Sequence, residues 1–234
     1  MIRTTADGRV RTVTIDRPAR RNALRPTDLD ALRAAIAEAD AAETPVVYLR
    51  GAGEDAFCAG ADLDTVTALS DPEAFARHGQ RVAAAVADAD AVVVAGIDGA
   101  ARGGGVELAL ACDVRVATPA ATFAEPGVQF GLFGAWGGTV RLPRVVGEGE
   151  AMDFALSGRV VDAGEALRMG LVSRVVADPR PVAEEIAENR PDALRVVKER
   201  LRDEADDDAR ERAEAEAFAR LHGRYADDIA ADRE

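Results

Sequence analysis

Lysine is nearly absent from this chain: Lys198 stands alone against 28 arginines in 234 residues. Aromatic residues make up only 4%, and there are two cysteines and two histidines. Cys58 and Cys112 are too few for a disulfide framework, and His78 and His222 fall at no metal-binding or triad spacing. No apolar run approaches the length of a bilayer span; Ala91–Ile97 is typical of the longest. The opening MIRTTADGRV has no signal-peptide core, so a soluble, cytoplasmic protein with no membrane partner is expected. Positive charge is short as well. With 42 acidic and 29 basic residues the net charge is −13, the wrong sign for holding the phosphates of nucleic acid.

What is present is enough for a packed core. Hydrophobic residues reach 48%, which excludes global disorder, and the length suits one domain of about 200 residues with an appendage. The acid excess fits a halophilic, salt-rich cytoplasm in which screening relieves self-repulsion, although a GC-rich genome gives the same arginine and alanine bias. The 57 residues from Asp178 onward are the most acidic part, with 18 acids and 11 bases.

The first half alternates strand and helix patterns. Val10–Ile15, Val46–Leu49, Val92–Ile97 and Val114–Ala117 read as strands. Pro26 opens a helix with Leu29, Leu32, Ile36 and Ala39 on one face and Thr27-x-x-Asp30 as its expected cap. Pro72–Asp90 and Val106–Ala111 read as further helices. This alternation predicts an α/β core over residues 1–178. After Gly137 the pattern is helical apart from one strand at Leu171–Val176. Residues 179–234 form a helical C-terminal region, with Leu194, Val197 and Leu201 on one amphipathic helix and Phe218 and Leu221 on another. The cluster Asp203–Asp208 reads as solvated helix surface.

Two loops rich in small residues stand out. Ala56–Leu63 follows a strand, and Gly99–Glu107 joins a strand to a helix through Gly103-Gly104-Gly105. Small side chains let a ligand approach the backbone and leave N–H groups free to donate. Gly104 falls at a helix N-terminus, where unpaired amides and the helix dipole favour negative charge. Two such amides converging on one oxygen make an oxyanion hole, and Glu107, one turn into the helix, brings a carboxylate near it. Taken alone, each feature also fits plain packing or dipole compensation. The run is neither G-x-G-x-x-G nor a Walker A sequence, which counts against nucleotide binding. Cys58 lies beside the first loop but has no histidine motif to activate it, so a small buried residue is expected there.

Taken together, these segments resemble the crotonase superfamily, the enoyl-CoA hydratase/isomerase family. The resemblance runs from Val10 to Val176 through Asp16-Arg17-Pro18, Arg21-Asn22-Ala23-Leu24, Ala56–Leu63, Gly103–Asp113, Phe123-Ala124-Glu125-Pro126, Gly137-Gly138-Thr139, Arg141–Arg144 and Ala166–Val172. It implies a spiral α/β core of strand–helix repeats that binds an acyl-CoA, with the thioester carbonyl held by the Ala61 and Gly104 amides. Arg20, Arg21, Ala23, Leu24, Leu63, Asp62 and Asp64 would line the CoA channel. Phe130, Phe133 and Trp136 would either wall the acyl pocket or belong to the plain core. CoA would be part of the substrate, with no cofactor or metal. Hydration of a 2-enoyl-CoA in the family uses two glutamates. The first matches Glu107, whereas Gly127 stands where the second normally follows the proline. Glu125 lies two residues upstream and, on a strand, shares a face with position 127. Asp62 reads as a loop-ordering residue rather than a base. The activity implied is enoyl-CoA hydratase; a single-carboxylate isomerase, a thioester hydrolase or a non-catalytic acyl-CoA-binding homologue is the alternative. Family members are trimers or hexamers. A homotrimer is expected here, with a hexamer as the alternative; a tail that stops before the segment completing the family's C-terminal helix pair counts against the hexamer.

Overall fold

The computed structural model describes residues 1–231; the last three residues of the expected tail lie outside the described part. In chain order the strands are β1 (Ile2–Asp7), β2 (Val10–Ile15), β3 (Val46–Gly51), β4 (Ala56–Cys58), β5 (Val92–Ile97), β6 (Ala100–Arg102), β7 (Val114–Ala117), β8 (Thr122–Ala124), β9 (Val161–Asp162) and β10 (Arg174–Val175). The helices are α1 (Pro26–Ala41), α2 (Leu63–Thr67), α3 (Pro72–Ala87), α4 (Gly104–Ala111), α5 (Gly138–Val146), α6 (Glu148–Ser157), α7 (Ala163–Arg168), α8 (Arg180–Ala187), α9 (Pro191–Arg202) and α10 (Asp207–Ala231).

Two sheets organise them. The larger runs β1-β2-β3-β5-β7-β10 and is parallel from β2 onward; the smaller runs β4-β6-β8-β9. Each long strand β3, β5 and β7 is followed at once by a short strand of the second sheet, and then by helix. The chain therefore climbs as a spiral whose successive turns repeat the same three parts. Val92–Ile97 is buried at every position, as a strand covered on both faces must be.

The short strands were not legible. Ala56–Cys58 and Ala100–Arg102 lie inside segments expected to be loops, and three residues are too few to show a period of two. The strand expected over Leu171–Val176 shrinks to Arg174–Val175, because Leu171 and Val172 turn back onto the end of α7 through bonds to the Ala166 carbonyl. Helix α1 carries its expected apolar face. Its cap differs from the expected one: Asp28, not Asp30, accepts from the Arg25 amide at 3.1 Å. Proline at the first helical position shifts the start by two residues, since it needs no acceptor.

The core between the sheets includes Leu24, Leu32, Phe57, Ile97, Phe123 and Phe154. The other face of the large sheet is covered by α8, whose Val182, Ala183 and Ala187 pack on Val10, Val46, Val94 and Val116. The packed core thus continues past residue 178, the expected boundary. Among the described residues no helix is long and apolar enough to cross a membrane.

Candidate active site

The first loop leaves β4 and is tied to the segment before α1. Leu24 and Ala61 form a parallel bridge in which Leu24 N donates to the Gly60 carbonyl at 2.8 Å and Asp62 N donates to the Leu24 carbonyl at 2.9 Å. These bonds use the groups on either side of Ala61, so its own N–H faces the opposite way. Among the described residues it has no acceptor. Buried Asn22, in the left-handed region at φ 59°, holds the turn. Its Nδ2 donates to the Ala56 and Ala52 carbonyls at 2.6 and 3.0 Å, and its Oδ1 accepts from Arg17 N at 2.9 Å.

The second loop runs from β6 into α4, which starts at Gly104. The Gly104 N–H is one of the helix's four amides without an intrahelical partner, and no other acceptor reaches it. The two loops touch. A Cβ on Gly60 would stand 2.9 Å from Gly104 N and 2.7 Å from the Arg102 carbonyl, so only glycine permits this approach. Ala61 follows directly, and the two unspent N–H groups therefore sit on adjoining backbone.

Glu107 is buried to 1% exposure on the next turn of α4. Its Oε1 accepts from Trp136 N and Gly138 N, each at 2.7 Å, across the turn that begins α5. Burial raises its pKa, while those two amides and Arg141 pull it back. The Trp136 ring lies against the Cα atoms of Gly104 and Gly79 and meets Phe75 edge-on, 6.0 Å between centroids. Glu125, at the end of β8, is also buried, and neither of its oxygens has a hydrogen-bond partner.

Of the residues anticipated from sequence, Ala61, Gly104, Glu107 and Trp136 are brought together. Asp62 caps α2 through Thr65 N and accepts from Arg17 at 2.8 Å, which holds its carboxyl below the usual range. Arg20 pairs with Asp64 at the surface, and Arg21 and Leu63 are exposed beside them. Ala23 and Leu24 are buried; the Leu24 side chain belongs to the core and supports the first loop from behind instead of lining a channel. Phe130 and Phe133, expected to wall the pocket, are 70% and 66% exposed. Gly127 is covered: a Cβ there would meet the Phe133 Cα at 2.8 Å. Cys58 is fully buried, with its thiol pushed up to about 12 by burial, as an inert packing residue.

The Asn22 staple and the pinning of Glu107 escaped the sequence reading. Backbone amides donated from positions 136 and 138 leave no side-chain signature. The one available signal was Asn22 within Arg21–Leu24, since asparagine tolerates the left-handed region.

A sequence profile described as Enoyl-CoA hydratase/isomerase matches residues 5–229. Bacillus subtilis YngF, named for that activity pair, is 40% identical over 195 residues, covering 80% of this chain and 75% of the relative. A short-chain-enoyl-CoA hydratase of Clostridium acetobutylicum is 35% identical over 204 residues, covering 83% of this chain and 78% of the relative. Among solved structures, an enoyl-CoA hydratase from Bacillus anthracis superimposes with a TM-score of 0.89 at 32% identity, over 98% of this chain and 96% of the other. The enoyl-CoA hydratase from Thermoplasma volcanium gives 0.90 at 28% identity, over 95% and 92%. The overall fold is thus shared with solved members, and the chain belongs to the enoyl-CoA hydratase/isomerase family of the crotonase superfamily.

Proposed function

We propose that the protein is an enoyl-CoA hydratase that adds water across the double bond of a 2-enoyl-CoA. One observation carries this reading: two unspent N–H groups, of Ala61 and Gly104, on touching loops one helical turn from the buried Glu107 carboxylate. A thioester oxygen held by both amides gains most when it becomes an enolate. Each such donor is worth on the order of 3 kcal/mol in the transition state. The start of α4 adds its positive dipole end to the same oxygen. Glu107, anchored through Oε1, keeps Oε2 to take a proton from water.

The CoA portion would run along Arg20, Arg21, Ala23, Leu63 and Asp64 as part of the substrate, and the chemistry calls for no metal or redox cofactor. Gly127 would bound the acyl pocket through its backbone, with the Trp136 ring limiting its depth. The apolar side chains Val197, Leu201 and Phe218 on α9 and α10 are 54%, 76% and 70% exposed in the single chain, which supports assembly as a homotrimer. A cytoplasmic setting and tolerance of high salt complete the proposal.

Loss of the enoyl-thioester absorbance of crotonyl-CoA tests the activity. The wild type should turn over, and Glu107→Gln should lower kcat/KM by on the order of 10²–10⁴ with the fold retained. Conversion of a 3-enoyl-CoA without water uptake, or tight acyl-CoA binding without turnover, would replace the hydratase reading.

A further inference from the structure

Glu125 is a buried carboxyl group to which the reading above gives no task. It is 8% exposed, and both oxygens lack a partner among the described residues. Buried polar atoms without partners are rare enough in folded proteins to need a cause. The backbone that carries Glu125 is fixed to the second loop, because Gly103 N donates to the Ala124 carbonyl at 3.0 Å. Its side chain converges on Glu107. A methyl group on Gly134 would stand 2.8 Å from Glu107 Oε2 and 3.0 Å from Glu125 Oε2, so the two oxygens lie within the sum of those distances. Both oxygens therefore face Gly134 from the same side, where there is no room for a methyl group.

The surroundings of the two carboxyls differ. Glu107 receives two amide donors, which favour its ionised form; Glu125 receives none. Glu107 is the charged group that bears on Glu125, while Arg141 bears on Glu107. Burial, with the Glu107 charge, pushes Glu125 up to about 8. At neutral pH Glu125 therefore keeps its proton, while the two amides favour the charge on Glu107. Position 127 offers no alternative. A Cβ there would meet the backbone of Phe133 and Leu132 at 2.8 and 3.0 Å, so a glutamate would displace the turn that carries Gly134.

We propose that Glu125 is the second acid–base group of the site, supplying from the end of β8 the proton that Gly127 has no side chain to supply. The proposal rests on the hydratase reading. Glu107 takes a proton from water as the oxygen bonds to the β-carbon of the enoyl group. The π electrons shift through the enolate held by the two amides, and Glu125 gives its proton to the α-carbon. Glu107 is left protonated and Glu125 ionised; the proton then crosses the gap from one to the other. The sum is one water added and both groups restored.

The test compares wild type with Glu125→Gln and Glu125→Asp on crotonyl-CoA across pH. The wild type should lose activity on an alkaline limb near pH 8, where Glu125 ionises. Glu125→Gln should lower kcat by on the order of 10²-fold or more with little change in KM, and Glu125→Asp should restore part of it. A stability readout needs no substrate. Native Glu125 keeps its proton between its ordinary 4.5 and about 8, where the unfolded chain has lost it. The native state binds more protons in that window, so stability falls as pH rises through it, and Glu125→Gln should flatten the fall. Wild-type kcat and an unchanged alkaline limb in Glu125→Gln overturn the proposal and leave the hydratase reading standing. A wild type with no crotonyl-CoA turnover overturns both.

Discussion

Asn22 shows how much one side chain can hold. Its fully buried amide donates to the Ala52 and Ala56 carbonyls and accepts from Arg17 N, which ties the turn before α1 to the loop after β3 and to β4. Asn22→Ala takes this partner from the buried Ala56 carbonyl and from the half-buried Ala52 carbonyl and Arg17 amide, and forces alanine into the left-handed region. We expect a loss on the order of 3 kcal/mol in urea unfolding and a matching fall in activity, because the Leu24–Ala61 bridge that aims the first N–H hangs from the same turn. At this scale the sequence was partly legible. Ala61, Gly104 and Glu107 could be located because a backbone that must approach a ligand closely needs small residues, and a helix start has a pattern. The amides that fix Glu107 come from 29 and 31 residues downstream, and only the fold brings them there.

Among the elements, α4 owes its position to burial on all sides. Every residue from Gly105 to Ala111 is buried, including Glu107, so the helix cannot turn about its axis without taking the carboxylate away from the loop. Long apolar strands such as Val92–Ile97 were legible because their pattern fills six positions. The second sheet was not, since its strands of two or three residues are held by neighbours remote in sequence. Helix α9 is fastened by charge more than by packing. Lys198 and Arg202 reach Asp113 at 2.9 and 2.7 Å, and Arg202 also donates to the Ala87 carbonyl. Asp113 itself accepts from Val93 N at 2.7 Å, which joins the helix to the start of β5. Asp113→Ala leaves the largely buried Lys198 without its counter-charge, frees the Val93 amide and takes one partner from the half-exposed Arg202. We expect a loss on the order of 3 kcal/mol in thermal or urea unfolding, with hydrogen exchange rising first along α9.

At the scale of the whole molecule, the exposed apolar faces of α9 and α10 and the net charge of −13 pull in opposite directions. Apolar area favours association, whereas like charge resists it until salt shortens the screening length to about 3 Å near 1 M. Light scattering should therefore give three chain masses, with the trimer holding to lower protein concentration in molar KCl than in dilute buffer. A monomer in both would remove the assembly from the proposal. The amphipathic pattern of the tail was visible in the sequence. What it packs against was not, because a helix face states that it needs cover without saying whose.

Lys198 has a practical consequence. It is the only primary amine in the chain besides the terminal one of Met1, and its side chain is 9% exposed, with Nζ held by Asp113 and the Ala91 carbonyl. An amine-directed acylating reagent therefore has one internal target, whose Nζ must first leave Asp113 and the Ala91 carbonyl. Once the terminal amine is blocked, the labelling rate becomes a direct clock for that release, with no probe engineered into the protein.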